Sequence, residues 1–325
     1  MGQKPAGWLR FDKDPNNRIT RCHAKLEDSV FTDSDLKPLQ RWLSCDMSPA
    51  SVASLIVHPG FTQAARALSR VKVEAAAHPV MAALSRDAGH YVAASLTFSL
   101  HRSGEITLPR LKAACIETKF MSTGRARAML GYLMHVGFIS QVSRRHGQDP
   151  AVYVPTERFI EAWCGRMRRG LEAALHLEPS LKPLLDRMDE SAIAVCFAQV
   201  RGETILAGLS RATAHDLPFV RIFNHRLGGG RALALLLSRD SGDGPLATAS
   251  VPWSLSDVVE HCGISRVQAK RLFDDALSEG LIHIEQGQLT WLEHARQFIA
   301  FGCAFEFAGM LVAAARTLNE FGTCG

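Results

Sequence analysis

The chain has 325 residues, a formal net charge of +5 and a hydrophobic fraction of 47%. This length is too great for one small core and suits two domains of ordinary size, while the hydrophobic fraction excludes an intrinsically disordered chain. Alanine, leucine and arginine are frequent and alternating strand-like patterns are scarce, so the composition predicts a mainly α protein. The mild positive charge permits nucleic-acid binding without requiring it, since a local patch matters more than the total.

The cysteines and the apolar segments predict a cytoplasmic protein. The eight cysteines include no Cys-x-x-Cys pair and no histidine at zinc spacing, which predicts reduced thiols and no metal site. Residues 1–10 lack the apolar centre of a signal peptide. The apolar run Phe298–Ala315 is interrupted by Glu306 and has no basic flank, so we expect a buried helix there and no membrane span.

Residues 1–46 predict a basic N-terminal extension. They mix prolines, asparagines and scattered charges, with one short helix expected near Asp33–Leu43. An unstructured tail and an arm that contacts nucleic acid are both compatible with this composition. From about residue 48 the pattern becomes helical, with four separable runs, which are Val52–Val57, Thr62–Val71, Pro79–Leu84 and His90–Leu100.

The stretch Trp253–Leu292 predicts two helices followed by a hairpin. Ser254 can cap the first helix and Gly263 can end it. The second helix carries one apolar stripe at three- and four-residue spacing, formed by Ala269, Leu272, Phe273 and Ala276. Gly280 ends this helix, after which Leu281–Ile284 alternates as a strand and Gln286–Gln288 turns the chain back.

The same pattern occurs earlier in the chain. Ile106–Cys115 aligns without a gap on Trp253–Cys262. The stripe of the second helix is repeated by Ala126, Met129, Leu130 and Leu133, and a longer hairpin loop, residues 143–148, follows it. Flanking residues also match at a constant spacing: Pro79 with Pro218, Gly89 with Gly228, Ala93 with Ala232, and Phe159 with Phe298. We therefore predict two copies of one domain, residues 47–178 and 179–325, with a joint near Glu178.

Helix, turn, helix and hairpin is the order of a winged helix-turn-helix, and the stretch resembles the DNA-binding core of MarR-type transcriptional regulators. The resemblance covers nearly all of the chain after residue 46, as two fused copies. It implies a mainly α fold in which tandem winged helix-turn-helix domains and their flanking helices form an intramolecular pseudo-dimer. The helices before residue 79 and the N-terminal extension depart from the family pattern. Double-stranded DNA is the expected partner, and the chain would act as a monomeric pseudo-dimer or a homodimer.

Side chains on the exposed faces of the two second helices are the candidate DNA contacts, because base edges need donors and phosphates need cations. The second copy presents Arg266, Val267, Gln268, Lys270 and Arg271. The first copy presents Thr123, Arg125 and Arg127, with Arg144 and Arg145 on its hairpin loop. Gly124, Ala128 and Gly131 lie on the same face, where small residues also fit helix-on-helix packing. Because the two faces differ, we expect two non-identical half-sites about one helical turn apart.

The resemblance also implies a small aromatic effector. Candidate lining residues are Phe298, Phe301, Phe305 and Phe307 in the last long helix, although aromatic residues at helical spacing also suit a plain core. Cysteine-based redox sensing would need exposed thiols of low pKa at Cys115 or Cys262, and burial is the default expectation for both.

Three other functions compete with the regulator. The run Leu227–Ala232 is glycine-rich, but a dinucleotide-binding loop needs a preceding strand and repeated strand–helix units. No catalytic constellation converges elsewhere, so we expect neither an enzyme nor a cofactor. A plasmid-type replication initiator also carries tandem winged helices. A protein-interaction scaffold with degenerate heads is the third alternative, favoured by the acidic pair Asp274 and Asp275 in the second copy.

Overall fold

The computed structural model describes residues 31–322, apart from residues 46, 79, 83, 119–121, 143–148, 211–216 and 241–243. These residues contain 14 α-helices and two small antiparallel sheets. The mainly α class predicted from composition is therefore confirmed.

Five helices precede the first sheet: α1 Asp33–Leu36, α2 Gln40–Leu43, α3 Pro49–Ile56, α4 Phe61–Ala77 and α5 Ala88–Arg102. Three of the four predicted runs from residue 48 are helices with somewhat different bounds. The fourth prediction, Pro79–Leu84, is wrong, because its described residues lie in turns. His78, which precedes Pro79, has the extended conformation that proline favours in the residue before it, and α4 ends there.

The first strand-and-helix unit, named unit 1, spans residues 106–155. Its elements in chain order are β1 Ile106–Thr107, α6 Leu108–Glu117, α7 Thr123–His135, β2 Ile139–Val142 and β3 Val152–Pro155. The sheet order is β1-β3-β2, with both pairs antiparallel.

Helices of the middle region connect unit 1 to its counterpart. They are α8 Glu157–Ala174, α9 Lys182–Asp186, α10 Ser191–Ser210 and α11 Gly229–Arg239, with a short π-helical segment, Val220–Asn224, between the last two. The predicted helix from Pro155 to about Leu177 corresponds to α8.

Unit 2 spans residues 251–291 and is followed by the longest helix. Its elements are β4 Val251–Pro252, α12 Leu255–Cys262, α13 Arg266–Ser278, β5 Ile282–Glu285 and β6 Gln288–Trp291, and α14 covers Glu293–Phe321. The sheet order is β4-β6-β5, again antiparallel. Gln286 and Gly287 form the two-residue hairpin turn with φ of 50° and 74°, the conformation of a type I′ turn.

The long helices cross between the two halves of the chain. α5 packs against α10, and α4 packs against α11, while α8 contacts α4 and α14 contacts α10. The α5–α10 contact is close because Gly202 faces α5, where a Cβ atom would collide with the Ser95 carbonyl oxygen. The two halves therefore share one continuous hydrophobic core.

Aromatic side chains attach each unit to this core. In unit 1, Phe138 stacks on Phe159 of α8 with ring centroids 4.9 Å apart, and Phe159 lies 5.0 Å from Phe98 of α5. In unit 2, Trp291 meets Phe223 of the π-helical segment edge-on at 5.3 Å. These ring contacts thus attach each unit to the neighbouring helical segments.

The described end of the predicted N-terminal extension packs into the protein. Phe31, Leu39 and Trp42 are buried, and helices α1 to α3 contact α14. The Phe31 amide donates a hydrogen bond to the Phe321 carbonyl, with an N–O distance of 3.3 Å. Residues 31–43 therefore belong to the folded core and are not a tail.

Two helices, α10 and α14, are long and apolar enough to cross a membrane by length and composition. In each, 67% of the most apolar stretch is buried inside the protein. Core helices of soluble proteins have the same properties. The run Phe298–Ala315 lies within α14, and its burial agrees with the expected buried helix.

Candidate functional site

The second helix of each unit begins at a serine cap and buries one stripe. The hydroxyl oxygens of Ser122 and Ser265 accept hydrogen bonds from the backbone amides three residues later, at 3.3 and 3.2 Å. Both predicted stripes are buried: Ala126, Met129, Leu130 and Leu133 in α7, and Ala269, Leu272, Phe273 and Ala276 in α13. Each helix therefore exposes its opposite face.

The exposed face of α13 carries all five residues predicted for it, namely Arg266, Val267, Gln268, Lys270 and Arg271. Val267 is 58% exposed. The side chains of Arg266 and Arg271 have no hydrogen-bond or ion-pair partner among the described residues. Two cations and one apolar side chain are thus available to a ligand.

The other two polar side chains on this face are engaged. The Gln268 Oε1 accepts a hydrogen bond from the Ser265 amide at 2.9 Å and completes a capping box. Lys270 forms an exposed ion pair with Asp274, with an N–O distance of 2.6 Å. The amide nitrogen of Gln268 remains available as a donor while its oxygen caps the helix.

Acidic residues in α13 and at its C-terminal cap are also paired. Arg226 forms an ion pair with Asp275, and Arg221 pairs with Glu279 at 2.7 Å. Both arginines flank or belong to the π-helical segment before α11, so these ion pairs hold α13 against the core. They also neutralise carboxylates that would repel a polyanion.

Unit 1 uses one of its predicted cations internally. Arg125 of α7 pairs with Asp87, which is only 3% exposed in its side chain. Asp87 also caps α5 by accepting a hydrogen bond from the His90 amide at 2.9 Å. Burial acts to raise the pKa of Asp87, but hydrogen bonds from His90 and the charge of Arg125 outweigh it, so this pKa is lowered. Arg125 therefore ties α7 to α5.

The remaining face of α7 is open. Thr123 and Arg127 are exposed, and Arg127 has no partner within the described part of the chain. A Cβ atom built on Gly124 or Gly131 would meet nothing within 4 Å among the described residues. Packing of this glycine face against another helix is therefore absent from the described part of the chain. Arg144 and Arg145 lie outside the described residues.

The predicted effector residues are not brought together. A cavity of about 240 Å³ lies among the long helices, and Phe305 lines it whereas Phe298 and Phe301 do not. Phe298 stacks on Phe219 at 5.8 Å, and Phe301 is 38% exposed. Phe298 and Phe305 are seven positions apart in α14, an axial distance of about 10 Å. The cavity therefore does not bring Phe298, Phe301 and Phe305 together, and a ligand site formed by all three stays a prediction. Phe307, the fourth candidate, is fully buried core.

The buried cysteines are poor candidates for redox sensing. Cys115 and Cys262 are both buried, and burial raises the pKa of each thiol to about 11. A reactive thiol needs a lowered pKa and access to solvent.

Several residues that shape the site escaped the sequence prediction. Asp87 and Arg226 hold the second helices of units 1 and 2, and they occupy matching positions in the two copies. Their equivalent positions in the repeat were the feature of the sequence that could have indicated these two residues. Arg201 lies in the apolar helix α10 and Glu306 lies in the apolar run Phe298–Ala315 of α14, and both line the cavity. A charged residue inside an apolar stretch was the corresponding feature.

No protein-family model, curated protein or solved structure matches this chain.

Proposed function

We propose that this protein is a cytoplasmic, non-catalytic regulator that binds double-stranded DNA through two non-identical winged helix-turn-helix domains. The observation that carries the proposal is the repeated geometry of units 1 and 2. Both have the same element order, the same strand order in the sheet and a capped second helix with an exposed face. Such a helix is the element that enters the major groove in winged helix-turn-helix proteins.

The crossed packing of the long helices supports a pseudo-dimer within one chain. In the repeat, α4 corresponds to α10, α5 corresponds to α11, and α8 corresponds to α14. The α5–α10 contact therefore corresponds to the α11–α4 contact. In the same way, the α8–α4 contact corresponds to the α14–α10 contact. From copies related in this way we expect two second helices arranged like those of a dimer.

The residue roles differ between the domains. In unit 2, Arg266 and Arg271 supply unpaired cations for phosphates or guanine, and Val267 is placed to contact a thymine methyl group. Lys270 and Gln268 contact DNA after Lys270 leaves Asp274 and Gln268 leaves the Ser265 amide. In unit 1, Arg127 and Thr123 supply the contacts, with Arg144 and Arg145 proposed for the hairpin loop. Two such faces favour an asymmetric pair of half-sites about one helical turn apart.

Selection of preferred sequences from random double-stranded DNA tests this proposal most directly. We expect one asymmetric site with two conserved blocks. Enrichment of directly repeated sites would favour a replication initiator instead. No enrichment from a correctly folded chain would favour a protein-interaction scaffold and refute the DNA-binding proposal.

Fluorescence anisotropy with the selected site then tests the faces. Arg271→Ala should weaken binding by about 1 to 3 kcal/mol if Arg271 makes a bidentate base contact. The matched control is Arg70→Ala, since Arg70 is an exposed arginine of α4 without a partner among the described residues. Equal losses for Arg70→Ala and Arg271→Ala would mean that only total charge matters.

A further inference from the structure

A short path of contacts joins the first turns of the two proposed DNA-contacting helices, and the loop before α5 forms its centre. Asp87, at the end of this loop, pairs with Arg125 in the first turn of α7. The carbonyl oxygen of the preceding residue, Arg86, accepts a hydrogen bond from the Gly228 amide, with an N–O distance of 2.8 Å. Gly228 lies against Ile264 in the turn before α13, since a Cβ atom on the glycine would collide with the isoleucine side chain. Arg86 therefore lies between unit 1 and unit 2.

Arg231 of α11 binds the same loop to unit 2. Its Nε donates to the Ser85 carbonyl, and one terminal nitrogen donates to the Cys262 carbonyl at the end of α12, both with N–O distances of 2.8 Å. Gly228 is also required for this arrangement, because residues with a side chain rarely adopt its φ of 79°. Hydrogen bonds to both units therefore hold the backbone around Arg86.

The Arg86 side chain is exposed and has no acidic partner in the described part of the chain. Burial lowers the pKa of Arg231, and the positive charge of Arg86 acts in the same direction, so the two guanidinium groups lie near each other. Asp87, the carboxylate of this loop, is only 3% exposed in its side chain and is engaged with Arg125. The loop therefore presents an excess of positive charge to an anion that approaches between the units.

The repeat places this loop near the axis that relates the two copies. Gly89 matches Gly228 in the repeat, and at the same spacing Arg86 matches His225. The segment before α5 therefore corresponds to the segment before α11, and the hydrogen bond between Arg86 and Gly228 joins these two corresponding segments. A contact between equivalent segments lies near the axis of a two-fold arrangement.

A residue on this axis meets a defined part of a bound duplex. Two helices in successive major grooves on one face of B-DNA contact half-sites about one helical turn apart. Major and minor grooves alternate along that face, so the minor groove faces the protein midway between the half-sites. This groove is about 6 Å wide, which is too narrow for a helix. A single arginine side chain enters such a groove.

We propose that Arg86 enters the minor groove midway between the two half-sites and makes the protein select a narrow, A·T-rich spacer. This inference rests on the proposed DNA-binding function and deepens it, because α7 and α13 contact only the half-sites. A-tracts have a narrow minor groove whose enhanced negative potential attracts arginine. A G·C pair instead places the guanine amino group, a donor, in this groove, and the guanidinium has no acceptor for it.

Fluorescence anisotropy with two versions of the selected site tests the spacer preference. The two duplexes keep both half-sites and differ only in the central base pairs, which are all A·T in one and all G·C in the other. We expect the wild-type chain to bind the A·T version at least about fivefold more tightly. Arg86→Ala should bind both versions with Kd values within about twofold of each other, because the side chain that senses the groove is absent.

Arg70→Ala is the matched control, since it removes an exposed, unpartnered arginine of α4 and should keep the spacer preference. The Tm of Arg86→Ala should not fall below that of the wild type. The Arg86 side chain bonds to nothing among the described residues, and the carbonyl that accepts from Gly228 remains. A lost preference in Arg86→Ala therefore does not arise from unfolding.

Hydroxyl-radical footprinting on the A·T version gives a second readout, because this reagent attacks sugars exposed along the minor groove. We expect the wild-type chain to protect the centre of the site and Arg86→Ala to leave it open. An equal loss of affinity on both duplexes, with a salt slope smaller by about one unit, would show a phosphate contact and overturn the minor-groove assignment. An unchanged spacer preference in Arg86→Ala would also overturn it.

The same titrations separate failure of this inference from failure of the proposed function. A folded wild-type chain that binds no double-stranded DNA would refute both. A chain that binds the two half-sites with equal affinity for the two spacers would refute the role of Arg86 alone.

Discussion

Replacement of Asp87 should loosen the attachment of α7 and lower the stability of the whole chain. Asp87 is 3% exposed and has two separate roles. It caps α5, and its side chain forms an ion pair with Arg125 and a hydrogen bond with the His90 ring. Alanine removes both roles, whereas asparagine keeps the cap, because asparagine is as good an N-cap as aspartate.

The size of each effect follows from the exposure of the partners. Loss of the cap costs about 1 kcal/mol. The Arg125 side chain is 40% exposed, so its ion pair is screened by solvent and contributes up to about 1 kcal/mol. We expect Asp87→Asn to lower the free energy of unfolding by about 1 kcal/mol and Asp87→Ala by about 2 kcal/mol.

Urea denaturation followed by circular dichroism measures both values, and Arg125→Met completes a double-mutant cycle with Asp87→Asn. The lowered pKa of Asp87 sets the pH dependence. Its charge stabilises the fold above the unfolded-state pKa of 3.8, and this stabilisation is lost as pH falls through the lower folded-state pKa. No coupling between positions 87 and 125, or equal losses for the asparagine and alanine variants, would refute the reasoning.

Three further changes have expected outcomes. Simultaneous Arg266→Ala and Arg271→Ala should flatten the logarithmic salt dependence of DNA binding by about two units if both arginines contact phosphate, and Arg70→Ala should leave it unchanged. Gly202→Ala should lower the Tm, because its Cβ atom collides with the Ser95 carbonyl at the α5–α10 contact, whereas Gly165→Ala, with nothing within 4 Å, should raise stability or leave it unchanged. Burial lowers the pKa of His101, so as pH falls the unfolded chain binds a proton at this histidine before the folded chain does. The free energy of unfolding should therefore fall as pH drops below 6.5. Urea denaturation of His101→Gln should show that this contribution is lost.

The caps, turns and stripes of units 1 and 2 could be predicted because each depends on residues close in the chain. Ser265 caps α13 by bonding to Gln268, and the hairpin turn at Gln286 and Gly287 needs only two residues of positive φ. The exposed face of α13 then follows from helical spacing around the buried stripe.

Charges that pair across the fold could not be predicted in the same way. Arg125 looked like a free DNA contact, but its partner Asp87 comes from a different helix. Likewise, the prediction for Pro79–Leu84 used apolar spacing alone, and His78 instead takes the extended conformation at which α4 ends. Phe298 and Phe305 lie in the same helix, but only Phe305 lines the cavity, because the neighbouring helices leave space beside Phe305 alone.

The sequence by itself determined the mainly helical class, the two copies of one element pattern and the faces that each second helix exposes. Hydrogen bonds and side-chain spacing within a few residues specify all three. Only the tertiary structure decided how α5 crosses α10, which cations remain unpaired and where the cavity lies. These features arise where residues far apart in the chain come into contact, as Lys72 and Glu306 do. The free energy of such a contact depends on how deeply the residues are buried, and burial cannot be read from neighbouring residues in the sequence.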